Sequence, residues 1–317
     1  MLRKLISALL ALTLIAVNAT FVFSDGSSGI IYPDGDKPLF TGNSSNHTLL
    51  LSYGGTVSAF GNNNRGQCGV TPGSDLTEPN YIKFNTDAKI VQVVAGGEFS
   101  LALSEDGYIW AWGDHSKGQL GIGSQAFGGG VGSPDPITFY TTPQKIGFNN
   151  RITQIATGKS HALALDENGD VWAWGDNQSG QLGWNVGAIS SAPVKVDGLS
   201  NVKYIATKYN HNLAVDTDNN LWAWGDNQNG QLGIGSFGGY FAHITKVNMP
   251  TDTEIMNIAT GKYHSAVVTY EIVEIDEDNT VGEYKVYSFG DNSNSQLGIV
   301  GASSDIPVLT LEDEFYL

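Results

Sequence analysis

Apolar residues along this chain fall into short runs cut by glycine, asparagine and aspartate, a pattern that predicts many short strands joined by tight turns. In "ITQIATGKSHALALDENGDVWAWGDNQSGQLG" the runs at 152–156, 161–165 and 171–174 predict three strands, broken by Gly158 and by "DENGD". Downstream, "PVKV" at 193–196 predicts a fourth, and Asn168 with Gly169 suits positive φ in a two-residue hairpin turn. Side chains in a strand alternate between faces, so Trp172 and Trp174 share one face and Ala173 takes the other. Leu163 and Leu165 likewise oppose Ala162 and Ala164, which predicts a bulky side and a small side, both apolar. A sheet with one wet face would carry polar residues there. Two apolar faces require a similar sheet on each side.

The phrase at 171–183, "VWAWGDNQSGQLG", returns as "IWAWGDHSKGQLG" at 109–121 and "LWAWGDNQNGQLG" at 221–233. Aligned on the glycine after the aromatic, five copies centre on Gly61, Gly113, Gly175, Gly225 and Gly290, with separations of 52, 62, 50 and 65 residues. Chemistry needs one constellation, whereas a phrase repeated at near-constant spacing is architecture. Four short strands in about 50 residues match one blade of a β-propeller. Trp110, Trp112, Trp172, Trp174, Trp222 and Trp224 then read as packing between blades. His47, His161, His211 and His264 recur at one repeat position, where copy two has Phe99, and are expected to bond backbone near the blade turns.

The segment "IATGKSHALALDENGDVWAWGDNQSGQLG" resembles the regulator of chromosome condensation repeat family. Copies two to four match most closely, and all five together span roughly residues 42–310. The resemblance implies an all-β propeller of four-stranded antiparallel blades, typically seven of them. Five are legible here, which leaves open a fragment of a longer propeller, a ring of fewer blades, or an open arc. "GIIYPDGDKPLF" near the start is a candidate to meet the final "DIPVLTLEDEFYL" and reduce unpaired strand edges.

Residues 1–24 change the picture of where the protein works. Arg3 and Lys4, an apolar run from Leu5 to Val17, and small residues at Ala19 and Ser24 follow the order of a secretory signal peptide, leaving 25–317 as the mature propeller. The run is shorter than the about 20 residues wanted for a span, so no stable membrane insertion is expected after its removal. Loss of Arg3 and Lys4 takes the formal charge from −16 to −18, an acidic balance that argues against nucleic acid as a partner. Export points to a secreted or cell-surface protein, and the style of repeat and leader to a bacterial source. The single Cys68 stands in "GQCG" where other copies have leucine, so it is expected as a small buried hydrophobe.

Motifs that would carry chemistry are weak. Gly158-Lys159-Ser160 lacks the earlier glycine of a phosphate loop, since position 153 is threonine, and "GIGSFG" at 233–238 has no βαβ unit around it. Asp166, Asn168 and Asp170, like Asp216, Asp218 and Asn220, have calcium-loop spacing, but Asn177 and Asn227 stand where the bidentate glutamate belongs, so hairpin chemistry explains them with less. No catalytic signature appears, and neither an enzymatic activity nor a cofactor is expected.

Specificity is therefore sought in what varies between copies. The segments after "GQLG" carry Phe127, Phe139, Tyr140, Trp184, Phe237, Tyr240 and Phe241, read as aromatics on a loop-built binding face for a protein partner of unknown identity. An insertion in copy five, "YEIVEIDEDNTVGEYKV", reads as an extended acidic hairpin. The secreted bacterial branch of the family, which includes a propeller that inhibits β-lactamases across its loop face, is the nearer analogy. Two other classes remain open: a cell-wall attachment module and a carbohydrate-active enzyme.

Overall fold

The computed structural model describes residues 38–43, 46–123, 138–184, 186–251, 253–276, 279–298 and 306–315; among these there are strands, turns and loops and no helix. The leader and Phe127 lie outside the described residues. The strands make five four-stranded antiparallel sheets, each in simple chain order. The first holds β1 (Pro38–Asn43), β2 (His47–Ser52), β3 (Val57–Gly61) and β4 (Leu76–Ile82). The second holds β5 (Ile90–Ala95), β6 (Phe99–Ser104), β7 (Ile109–Asp114) and β8 (Phe139–Ile146). The third holds β9 (Ile152–Thr157), β10 (His161–Asp166), β11 (Val171–Asp176) and β12 (Ile189–Lys195). The fourth holds β13 (Val202–Lys208), β14 (His211–Asp216), β15 (Leu221–Asp226) and β16 (Tyr240–Val247). The fifth holds β17 (Glu254–Thr260), β18 (His264–Asp276), β19 (Asn279–Gly290) and β20 (Ile306–Phe315).

These sheets fall into two compact units: one carries the first three, the other the last two together with Ser179–Gln181. β1 pairs with β2, a hairpin neighbour, and β20 with β19, while residues 29–37 of the segment proposed to meet the chain's end lie outside the described residues. In the fifth sheet β18 and β19 run on as one ladder to Asp276 and Asn279, the extended hairpin of the copy-five insertion.

Both faces of the inner strands are buried: every residue of β6, β7, β10 and β14 is less than a tenth exposed. The register nevertheless corrects the idea of a bulky face and a small face. Trp174 stands opposite Ala162 and Trp172 opposite Ala164, while Leu163 faces Ala173. Cross-strand neighbours sit only about 5 Å apart, so an indole takes the room that an alanine beside it leaves. Each face is therefore large over small. In the three-sheet unit Leu101, Leu103 and Ala111 of the second sheet meet Ala162, Ala164 and Trp174 of the third in one core. Leu49, Leu51 and Ala59 meet Ala102, Trp110 and Trp112 in the same manner. In the two-sheet unit Leu213, Val215 and Ala223 pack on Val267, Tyr287 and Phe289.

Polar links cross from copy to copy. Trp112 Nε1 donates to Gln67 O at 2.8 Å and Trp174 Nε1 to Gln119 O at 2.9 Å in the first unit. Trp224 Nε1 donates to Gln181 O at 3.0 Å in the second. Each inner tryptophan thus holds the carbonyl of the preceding copy's Gly-Gln turn. The glycine after the aromatic is needed because the third strand bulges there: Gly113 and Gly225 have φ of +100° and +106°, and a Cβ would meet Glu98 O at 2.6 Å or Asn210 O at 2.5 Å. The second hairpin also differs from expectation. Gly169 N–H closes a turn on Asp166 O, and only Gly169 takes positive φ, with Asn219 (φ 65°) in its place one copy later.

Candidate interaction surface

In each sheet the turn between the first two strands and the loop between the third and fourth leave from the same end, because the ladder is antiparallel throughout. One asparagine staples the longer loop. Asn227 Oδ1 accepts from Leu232 N at 3.0 Å and its Nδ2 donates to Ser236 O at 2.8 Å, so the side chain spans the loop that presents Phe237. Gln228 Nε2 donates to Tyr240 Oη at 2.7 Å beside it. In the other unit Asn177 does the same for the loop carrying Trp184, accepting from Leu182 N and donating to Val186 O and Gly187 O. Asn177 and Asn227, the residues that broke the calcium pattern, are thus loop staples.

The aromatic residues singled out by sequence separate into two kinds. Trp184 and Phe237 lie in loops, 52% and 64% exposed. Phe139, Tyr140, Tyr240 and Phe241 are not loop residues: they open β8 and β16, where Phe139 pairs with Asp114 and Tyr240 with Asp226. Strand alternation then splits each couple. Tyr240 is 53% exposed and Phe139 is exposed, whereas Tyr140 and Phe241 turn inward onto the cores. Of the inward set Trp112, Trp174 and Trp224 are fully buried, Trp110 nearly so, and Trp172 and Trp222 partly buried.

Two of the recurrent histidines reach a serine of the following copy. His47 Nε2 lies 2.8 Å from Ser100 Oγ, and His211 Nε2 lies 2.9 Å from Ser265 Oγ. Each serine donates to the glutamine carbonyl of the Gly-Gln turn, Gln67 and Gln231 respectively. His161 is buried in the corresponding place, and burial holds the His264 imidazole below its ordinary pKa against an opposing pull from Asp291.

Asp166 and Asp216, the carboxylates of calcium-like spacing, are occupied by protein donors. Asp166 accepts from Asn168 N, Asp170 N, Asn150 Nδ2 and Trp172 Nε1 at 2.8–3.0 Å. Asp216 accepts from Asn220 N, Asn220 Nδ2 and Trp222 Nε1. Burial is the largest single influence and raises the pKa of each, but the assembled donors outweigh it and leave both below the usual carboxylate range.

One cluster escaped the sequence reading. In the two-sheet unit Tyr209 and Tyr263, from the first turns of the fourth and fifth sheets, meet edge to face with centroids 5.3 Å apart. Lys262 Nζ rests over both rings, 4.7 Å from Tyr263 and 5.1 Å from Tyr209. The only signal for it in the sequence was "KYNH", where Lys208 replaces the glycine found in copies two, three and five.

A family model for the RCC1-like domain matches residues 56–314. The human probable E3 ubiquitin-protein ligase HERC6 is 34% identical over 159 residues, 48% of this chain and 14% of that protein, so the likeness spans only a small part of the relative. Among solved structures, Prp20p from Saccharomyces cerevisiae superposes with a TM-score of 0.64 at 26% identity, covering 89% of this chain and 78% of that one. Human WBSCR16 gives a TM-score of 0.73 at 21% identity over 90% of this chain and 69% of that one, a likeness of fold.

Proposed function

The chain belongs to the RCC1-like domain family, and from that membership together with the leader-like residues 1–24 we propose that it is a secreted, non-enzymatic protein-interaction module. The fold class is the one read from the repeats, all-β with four-stranded antiparallel blades. Prp20p is described by its binding properties to Gsp1p and histones, a precedent for protein recognition on this scaffold. Export to a bacterial exterior rests on the leader-like composition of residues 1–24.

The observation that carries the reading is the presentation of large apolar side chains on stapled loops. Trp184 in one unit, and Phe237 with Tyr240 in the other, are more than half exposed in loops or at loop ends whose backbones are pinned by Asn177 and Asn227. Aromatics held rigid lose little entropy on binding and dominate contact energy. Solvation alone gives no reason to hold a phenylalanine out on a fixed loop. The test is affinity capture from the producing culture with chain 25–317 against a Trp184→Ala/Phe237→Ala/Tyr240→Ala variant. Loss of a captured protein from the variant is expected. Identical captures from both baits remove these residues, and turnover of a glycan or peptide by the wild type transfers the protein to the enzyme class.

A further inference from the structure

The Tyr209–Tyr263 pair sits on a turn built unlike its counterparts. In copies two, three and five a glycine closes the first turn, with Gly96, Gly158 and Gly261 N–H bonded to the carbonyl three residues on. A Cβ at Gly96 or Gly261 would overlap the ring of Phe99 or His264. Copy four nevertheless carries Lys208 there, so the chain takes another path: β13 runs one residue further, Lys208 pairs with His211, and Thr207 Oγ1 donates to His211 O at 2.8 Å. The reversal then forces Tyr209 to φ 55°. A bulky aromatic in the left-handed region is an outlier, and strain of this kind persists where surrounding structure and function hold it. Its result is the ring that meets Tyr263.

A cation already occupies the two rings. Lys262 lies within cation–π distance of both, on a flexible stem that is exposed to solvent. At the foot of the same turns are two aspartates: Asp226 N bonds Asn210 O at 3.0 Å and Asp291 N bonds Tyr263 O at 2.9 Å. The chain as a whole carries −16, which draws basic partners and repels acidic ones. The pair also shares its end of the fourth sheet with Phe237 and Tyr240, because the turn before β14 and the loop before β16 leave from the same end.

We propose that Tyr209 and Tyr263 form a docking clamp for an arginine side chain of a basic partner segment, with Lys262 as a resident stand-in that the arginine displaces. Arginine is the fitting occupant because its planar guanidinium stacks on an aromatic face and is less strongly hydrated than an ammonium. Displaced Lys262 returns to water at little cost, since its head is exposed already. The inference rests on this end being the binding end and adds the chemistry of what binds.

The stand-in role gives an unusual sign to the test. A fluorescent, acetylated and amidated peptide of alternating arginine and glycine is titrated against the full chain by anisotropy, with a glutamate–glycine peptide as its counterpart. Lys262→Ala removes a positive charge and the competitor, and is expected to tighten the arginine peptide roughly two- to fivefold. Tyr209→Gly and Tyr263→Ala are expected to weaken it roughly three- to tenfold. Tyr209→Gly suits φ 55° better than tyrosine does, so it deletes the ring without threatening the turn. Weaker binding by Lys262→Ala, unchanged binding by both tyrosine variants, or preference for the glutamate peptide overturns the proposal. Phe237→Ala/Tyr240→Ala separates it from the broader reading: identical capture by that variant sinks the loop aromatics, while the peptide titration still judges the clamp.

Discussion

Transplanting one turn between copies tests the account of the partly buried tryptophans. Trp172 and Trp222 donate to Asp166 and Asp216, but the equivalent residue before Trp110 is Ser104. Its hydroxyl lies 2.5 Å from Asp106 Oδ1 and 3.0 Å from Tyr108 O, too short to reach the indole. Trp110 Nε1, in a residue only 5% exposed, finds no acceptor among the described residues. A buried unsatisfied donor costs about 1–3 kcal/mol. Ser104→Asp combined with Asp106→Asn recreates the copy-three turn, and after desolvation of the new carboxylate it should stabilise by about 1 kcal/mol. The reverse change, Asp166→Ala, strands Trp172 Nε1 and Asn150 Nδ2 and should cost about 2–4 kcal/mol on the same scale. Both turns lie in the three-sheet unit, so urea midpoints followed by tryptophan fluorescence compare them directly. The Asp166 effect has a pH signature as well. Its folded pKa lies below the unfolded value, so its contribution is present above about pH 4 and is lost as pH falls through the folded pKa. Asp166→Asn should therefore flatten the acid limb of the stability profile. If the Ser104→Asp/Asp106→Asn chain is no more stable than the wild type, acceptor supply is not what distinguishes the copies.

Three further outcomes are expected. Trp224→Phe removes the bond to Gln181 O but leaves the one from Asn212 Nδ2 at 2.9 Å, and Phe289 already fills the matching place in copy five; a loss of about 1 kcal/mol by urea titration is expected, and above about 3 kcal/mol the carbonyl account fails. Asn227→Ala unpins the loop at 233–239 and strands the buried Leu232 N–H, so cleavage by chymotrypsin after Phe237 should accelerate and the urea titration should show a loss of about 1–3 kcal/mol. Burial pushes the Cys68 thiol up to about 12, with Asp75 adding to it, so iodoacetamide at pH 8 should label the chain only after denaturation.

Strand runs and turn residues were legible because period-two alternation and glycine are local properties. Even the bounds of β10 and β11 differ from the sequence reading only at their ends. Cross-strand register is not local, and this is why alternation within one strand predicts a separate small face where alanine in fact stands opposite tryptophan. The opening of the fourth strand was hidden for another reason. β8 and β16 are half-exposed and pair across a bulge at the glycine, so Phe139 and Tyr240 lack the apolar alternation that marks a buried strand. Contacts such as Lys262 over Tyr209 join side chains 53 residues apart in the chain. Only the odd lysine at 208 hinted that this turn was different.

The indole-to-carbonyl links described above pair a donor in one copy with an acceptor in the copy before it. Excising the second or the third copy whole therefore removes one donor and one acceptor together and leaves the next copy's indole matched to the carbonyl of the copy before, whereas excising the fourth would set Phe289, which has no N–H, against Gln181 O. A cut in mid-copy orphans one of them.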